Sequence, residues 1–144
     1  MSSGALVAYN ALVGTLTVAP LTCGYTVYDN RLSPLERGNL PAIAVEMGDE
    51  PAPTGEAITI GQVLRYLDVT TTVLVDSATP YSAADAALIE MHDLIVDDLT
   101  LGGACEFVEE GDTTRARDDA GVGYITKTWR VAYRTQRHSL LTGD

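Results

Sequence analysis

A chain of 144 residues, 46% of them hydrophobic and 20% charged, is long enough for a domain with its own core, burying roughly 70% of the surface its unfolded form would expose. Twenty acidic residues against nine basic ones give a formal charge of −11, which repels phosphate backbones and anionic membranes and so disfavours nucleic acid as a tightly held ligand. No run approaches the ~18 apolar residues of a membrane span, and the first residues lack the basic segment of an export signal, so a globular protein made and kept inside a cell is expected.

In chain order, Ala5 to Leu16 carries good helix formers, with Leu6, Tyr9, Val13 and Leu16 on one stripe and Ser2 or Ser3 placed to cap the start. This predicts an N-terminal helix ending before Pro20. Tyr25 to Tyr28 reads as a short strand, and the segment from Asp29 to Asn39 is dense in turn formers and reads as a loop. Ala42 to Met47 predicts a strand with Ile43, Val45 and Met47 on one face. Gly48 to Glu56 crowds prolines, glycines and acids together and predicts an exposed, mobile loop. From Val63 to Val75, valines and Leu67 alternate against Tyr66, Asp68, Thr70 and Thr72, the pattern of a half-buried strand.

Ser82 with Asp85 three residues later suggests a capping box, and Ala84, Leu88, Met91 or His92, Ile95 and Leu99 recur at helical spacing, predicting a second helix from Ala83 to Val96 stopped by Gly102-Gly103. A short strand from Cys105 to Val108 then precedes an acidic stretch, Glu109 to Asp112, which leads through Thr113–Arg117 into a glycine-punctuated turn. The final strand alternates from Ile125 to Thr135, with Ile125, Trp129, Val131 and Tyr133 on one face and Thr126, Thr128, Arg130 and Arg134 on the other. The whole order predicts one α+β domain over residues 1–144, two helices packed on a largely antiparallel β-sheet.

Catalytic motifs are missing from this pattern. No GxSxG, phosphate-binding loop or cysteine–histidine signature occurs, and Gly121-Val-Gly123 is too short for a dinucleotide fingerprint. Cys23 and Cys105 share no metal-type spacing and read as two thiols rather than a disulfide. His92 falls beside the apolar stripe of the second helix and His138 in the tail. Glu109, Glu110, Asp112, Asp118 and Asp119 offer oxygens for a hard cation but fit no EF-hand spacing, so they read as a solvated charged turn. No metal, cofactor or enzyme activity is expected. Arg115, Arg117, Arg130 and Arg134 stand out against the acidic background. They suit bidentate pairing with carboxylates on a neighbouring subunit, the alternative being that Arg130 and Arg134 merely face cross-strand acids such as Asp68.

The turn Arg117-Asp-Asp-Ala-Gly121 before a long alternating strand, preceded by Pro41-Ala-Ile-Ala-Val45, a second strand and a capped helix, resembles the tail terminator proteins of long-tailed, lambda-like bacteriophages, the minor tail protein U family. The likeness covers most of the chain, is weakest before Leu40, and rests on order and spacing together. It implies a small α+β subunit of the virion tail, assembled in the host cytoplasm as a homo-oligomeric, hexameric ring. That ring caps the tail tube protein, stops its polymerisation and offers a joining surface to a head-completion or connector protein, with no cofactor and no catalytic residue. Under this resemblance Arg115, Arg117, Arg130 and Arg134 are the candidate subunit interface. Asp49, Glu50, Glu56, Glu109, Glu110, Asp112, Asp118 and Asp119 are candidate tube-contact or lumen residues, lining a channel that genome DNA traverses without tight binding, or else sitting on the outer rim as solubilising charge. The 48 to 56 loop and the segment from Arg137 to Asp144 depart from the family pattern. A different neck or head–tail connector protein is the alternative reading, and a small divalent-metal-dependent enzyme a further one.

Overall fold

Period-two alternation in the two longest strands sets the architecture. In the computed structural model, residues 3–17, 24–29, 41–53, 58–59, 61–118, 121–136 and 140 are described. Strands β4 (Gln62–Asp76) and β6 (Val122–Gln136) pair antiparallel along their whole lengths, Gln62 opposite Gln136 and Asp76 opposite Val122. They form the centre of a sheet ordered β1-β2-β4-β6-β5, with β1 at Thr26–Asp29, β2 at Ala42–Met47 and β5 at Phe107–Arg117. A two-residue strand, β3 (Ile58–Thr59), pairs with the start of β4. The β1–β2 pair is parallel and every other pair antiparallel.

One face of this sheet carries the core. Val63, Leu67, Val69 and Val73 of β4, Ile125, Trp129, Val131 and Tyr133 of β6, and Ile43 and Val45 of β2 are all buried. Helix α1 (Gly4–Thr17) covers them with Ala5, Ala8, Tyr9, Leu12 and Leu16, and α2 (Pro80–Asp97) with Ala84, Ala87, Met91 and Ile95. The fold is α+β, as the sequence predicts. Polar groups drawn into this core are satisfied: Trp129 Nε1 donates to Thr71 Oγ1 at 3.1 Å, and Thr71 Oγ1 donates to the Lys127 carbonyl at 2.9 Å. The Tyr9 hydroxyl ties α1 to the sheet through the Val45 carbonyl at 2.9 Å and the Asp29 carboxylate.

Four expectations are revised. Helix α2 begins earlier, at Pro80, whose fixed φ suits the first helical position; its N-cap is Thr79 with no side-chain cap bond, so the Ser82–Asp85 box does not form. The stop comes from Asp98, whose carboxylate accepts from the Thr100 amide and hydroxyl and the Gly102 amide, while Leu101, Gly102 and Gly103 take left-handed φ. The loop expected from Gly48 to Glu56 is indeed irregular and exposed over residues 48–53, but its start is tied to the sheet: the Gly48 amide donates to the Asp68 carbonyl at 2.7 Å, the Asp68 amide donates to Asp49 O at 2.9 Å, and Glu50 accepts the Tyr133 hydroxyl. Lastly, the short strand, acidic stretch and Thr113–Arg117 are one eleven-residue strand, β5, interrupted by a register shift between Glu110 and Thr113. That bulge adds an unpaired residue and breaks the alternation that would otherwise reveal the strand.

Candidate assembly surface

Strand β5 is the outermost strand beyond β6, and among the described residues it pairs with nothing else. Its cross-strand partners fix which side chain lies on which face. Glu110 stands opposite Trp129, Thr113 opposite Lys127 and Arg115 opposite Ile125, so these share the helix-covered side. Phe107, Glu109 and Thr114 stand opposite Ala132, Arg130 and Thr126, on the side bare of helices. Gly111 lies in the bulge, where a side chain does not fit, since a Cβ there would come within 2.8 Å of the Thr128 carbonyl oxygen.

The four candidate arginines divide into two pairs. Arg130 Nε donates to Asp68 Oδ1 at 3.0 Å and Nη2 to Oδ2 at 3.4 Å, its guanidinium lies 5.7 Å from the Tyr66 ring centroid, and the bond to Asp68 raises its pKa. Arg134 Nε pairs with Glu106 at 3.3 Å. Both therefore meet acids of their own chain. Arg115 and Arg117 lie exposed on the edge strand, and no ion pair engages them among the described residues.

The candidate acids do not form one cluster. Glu110 Oε1 receives Lys127 Nζ at 3.0 Å and His92 Nε2 at 3.3 Å, and the Lys127 bond holds its carboxyl below the usual range. Lys127 is buried, its ammonium 5.2 Å from the Trp129 ring centroid, with Thr113 Oγ1 as a further acceptor at 3.1 Å. Glu109 and Asp112 lie exposed on the bare side around a hollow of about 280 Å³ that also meets Asp68, Thr128 and Arg130. Asp118 shapes the β5–β6 turn, accepting from the Val122 amide at 2.8 Å and from the Tyr124 hydroxyl at 3.1 Å. Asp49 and Glu50 lie at the far end of β2, beside Asp68 and Tyr133. Glu56 and Asp119 lie outside the described residues, as do Cys23 and His138. Cys105 is half-buried, and burial with nearby Asp98 and Glu106 pushes its thiol up to about 11.

Sequence reasoning passes over the outer side of α2. Ile89, at 54% exposure, and Val96 lie uncovered there, and Leu99, expected on the helix's apolar stripe, lies exposed in the turn beyond the helix end. Leu88, Ile89, His92, Asp93 and Lys127 line an apolar hollow of about 320 Å³. The seven-residue spacing of Ile89 and Val96, offset from the buried stripe, is the signal that locates it.

No family model matches the sequence, and no curated protein matches it. A solved structure does: a chain of the virion of a native gene transfer agent particle superposes with a TM-score of 0.56 at 15% identity, over 88% of this chain and 94% of that one. The two share a fold along nearly their whole lengths. No helix among the described residues is long and apolar enough to cross a membrane.

Proposed function

We propose that the chain is a structural subunit of a phage-like particle, a tail terminator that closes a hexameric ring on the end of the tail tube, halts its growth and presents a surface to the head-completion proteins. One observation supports the virion part of this reading, the near end-to-end likeness to a chain of a gene transfer agent virion; the terminator part rests on the order and spacing of the sequence elements. The arrangement of elements agrees with it, since, among the described residues, a sheet with helices on one side, an edge strand without a partner and exposed apolar residues on α2 offer surfaces suited to neighbours. Within this reading Arg115 and Arg117 are the arginines left for another chain, whereas Arg130 and Arg134 brace the sheet. The exposed acids Glu109 and Asp112, with the formal charge of −11, suit a passage that repels duplex DNA instead of gripping it.

The test is polymerisation of the cognate tube protein in the presence of the purified chain. Tubes should stop shorter as the chain is added, with density at one end only by electron microscopy. Tube lengths indifferent to the chain, or decoration along the tube sides, would overturn the reading.

A further inference from the structure

We propose that β5 is a self-complementary edge through which two copies of the chain pair in antiparallel register about a two-fold axis, joining their sheets. The strand is written in two charge halves. Glu109, Glu110 and Asp112 occupy the first and Arg115 and Arg117 the second, so an antiparallel second copy sets each acidic half beside the partner's basic half. Parallel pairing would set like beside like.

Face and register agree with this. Glu110 and Arg115 both belong to the helix-covered side, and antiparallel strands related by an axis normal to the sheet keep the same face up. A register with Glu110 of one copy opposite Arg115 of the other makes two equivalent pairs. Lys127 and His92 both bond Glu110 through Oε1, which leaves Oε2 as an acceptor for an incoming guanidinium. The backbone gains as well, since the edge of β5 remote from β6 has no ladder partner among the described residues, and an uncovered edge of this length is an aggregation hazard that pairing removes.

An isologous contact of this kind uses up the edge in a pair and cannot itself close a ring. If the proposed ring uses the same edge against a different surface, pairing and ring closure compete, and the pair is the form of the free subunit. Only that last consequence rests on the terminator reading; loss of the pair leaves the tube-length test untouched.

Sedimentation velocity over a dilution series decides it, using the full chain and two charge variants. Salt is a poor discriminator because it screens the strand pairs and the overall repulsion together. R115E/R117E makes the charged positions of β5 wholly acidic, and E109R/E110R/D112R makes them wholly basic, so each variant alone sets like charge at both Glu110–Arg115 positions and the mixture restores opposite charge at both. The expected results are a native chain at twice the subunit mass, each variant alone at the subunit mass, and a one-to-one mixture of the variants restored to the pair. E109R/E110R/D112R is the sharper arm, because it lowers the net negative charge and would associate better if overall repulsion governed. Native Trp129 emission serves as the fold control, and E110Q measured alone, which removes the acid of the Glu110–Arg115 pair while keeping an acceptor for Lys127, replaces the triple variant if that emission is lost. A native chain monomeric throughout, a native chain that passes to a ring with no pair beneath it, a variant that pairs like the native chain, or a mixture that stays monomeric would overturn the proposal.

Discussion

Thr71 shows how one hydroxyl holds the tryptophan in place. Its oxygen accepts from Trp129 Nε1 and donates to the Lys127 carbonyl, all at full burial. Thr71→Val conserves shape but leaves the indole N–H without a partner, and should cost about 1–3 kcal/mol, read by urea unfolding followed through Trp129 fluorescence. The Glu110 cluster predicts a pH dependence. Its folded-state pKa lies below the ordinary 4.5, chiefly through the Lys127 bond, so the pair stabilises the fold above that value and is lost as pH falls through the lowered one. Because Glu110 is half-exposed, solvent screening keeps the effect small. Melting temperatures measured from neutral pH down past 4.5 should fall less steeply for Glu110→Gln than for the native chain.

Elements were legible in the sequence wherever a regular period survived. Strands β2, β4 and β6 follow directly from alternation, and α1 from its run of apolar helix formers, although its buried stripe runs through Ala5, Ala8, Tyr9, Leu12 and Leu16 and leaves the expected Leu6 and Val13 at its margin. The edge strand was not, because its bulge shifts the period and its outer residues are hydrophilic, which makes an exposed strand resemble an acidic turn. The cap of α2 was misplaced for a different reason: Pro80 supplies backbone geometry that the Ser82–Asp85 pattern only imitates. The candidate site was legible in part. Sequence alone marks all four arginines and offers Asp68 as a cross-strand acid for Arg130 and Arg134, yet only the folded contacts settle that Arg130 meets Asp68 and Arg134 meets Glu106 while Arg115 and Arg117 stay exposed. Close packing of elements is testable at Gly123, where an added Cβ would come within 2.3 Å of Pro80 Cβ. Gly123→Ala should push the start of α2 off the sheet and cost about 1–3 kcal/mol, whereas Gly14→Ala, in an open helical position, should be neutral or stabilising in the same thermal melts.

At the scale of the whole molecule, the helices seal one side of the sheet and leave the other carrying half-buried Thr70, Thr72, Thr126 and Thr128 between a braced arginine row and the chain's acids. A one-sided layer whose edge has no partner among the described residues agrees with the proposal of a part in a larger assembly, while the terminator role proposed for it rests on the sequence pattern. The measurement that tests it most directly is the length distribution, by electron microscopy, of tails assembled in cells from which this protein's coding sequence has been removed. A terminator's loss should give overlong tubes that fail to join heads, with length restored by supplying the chain. Tails of normal length without it would contradict the account.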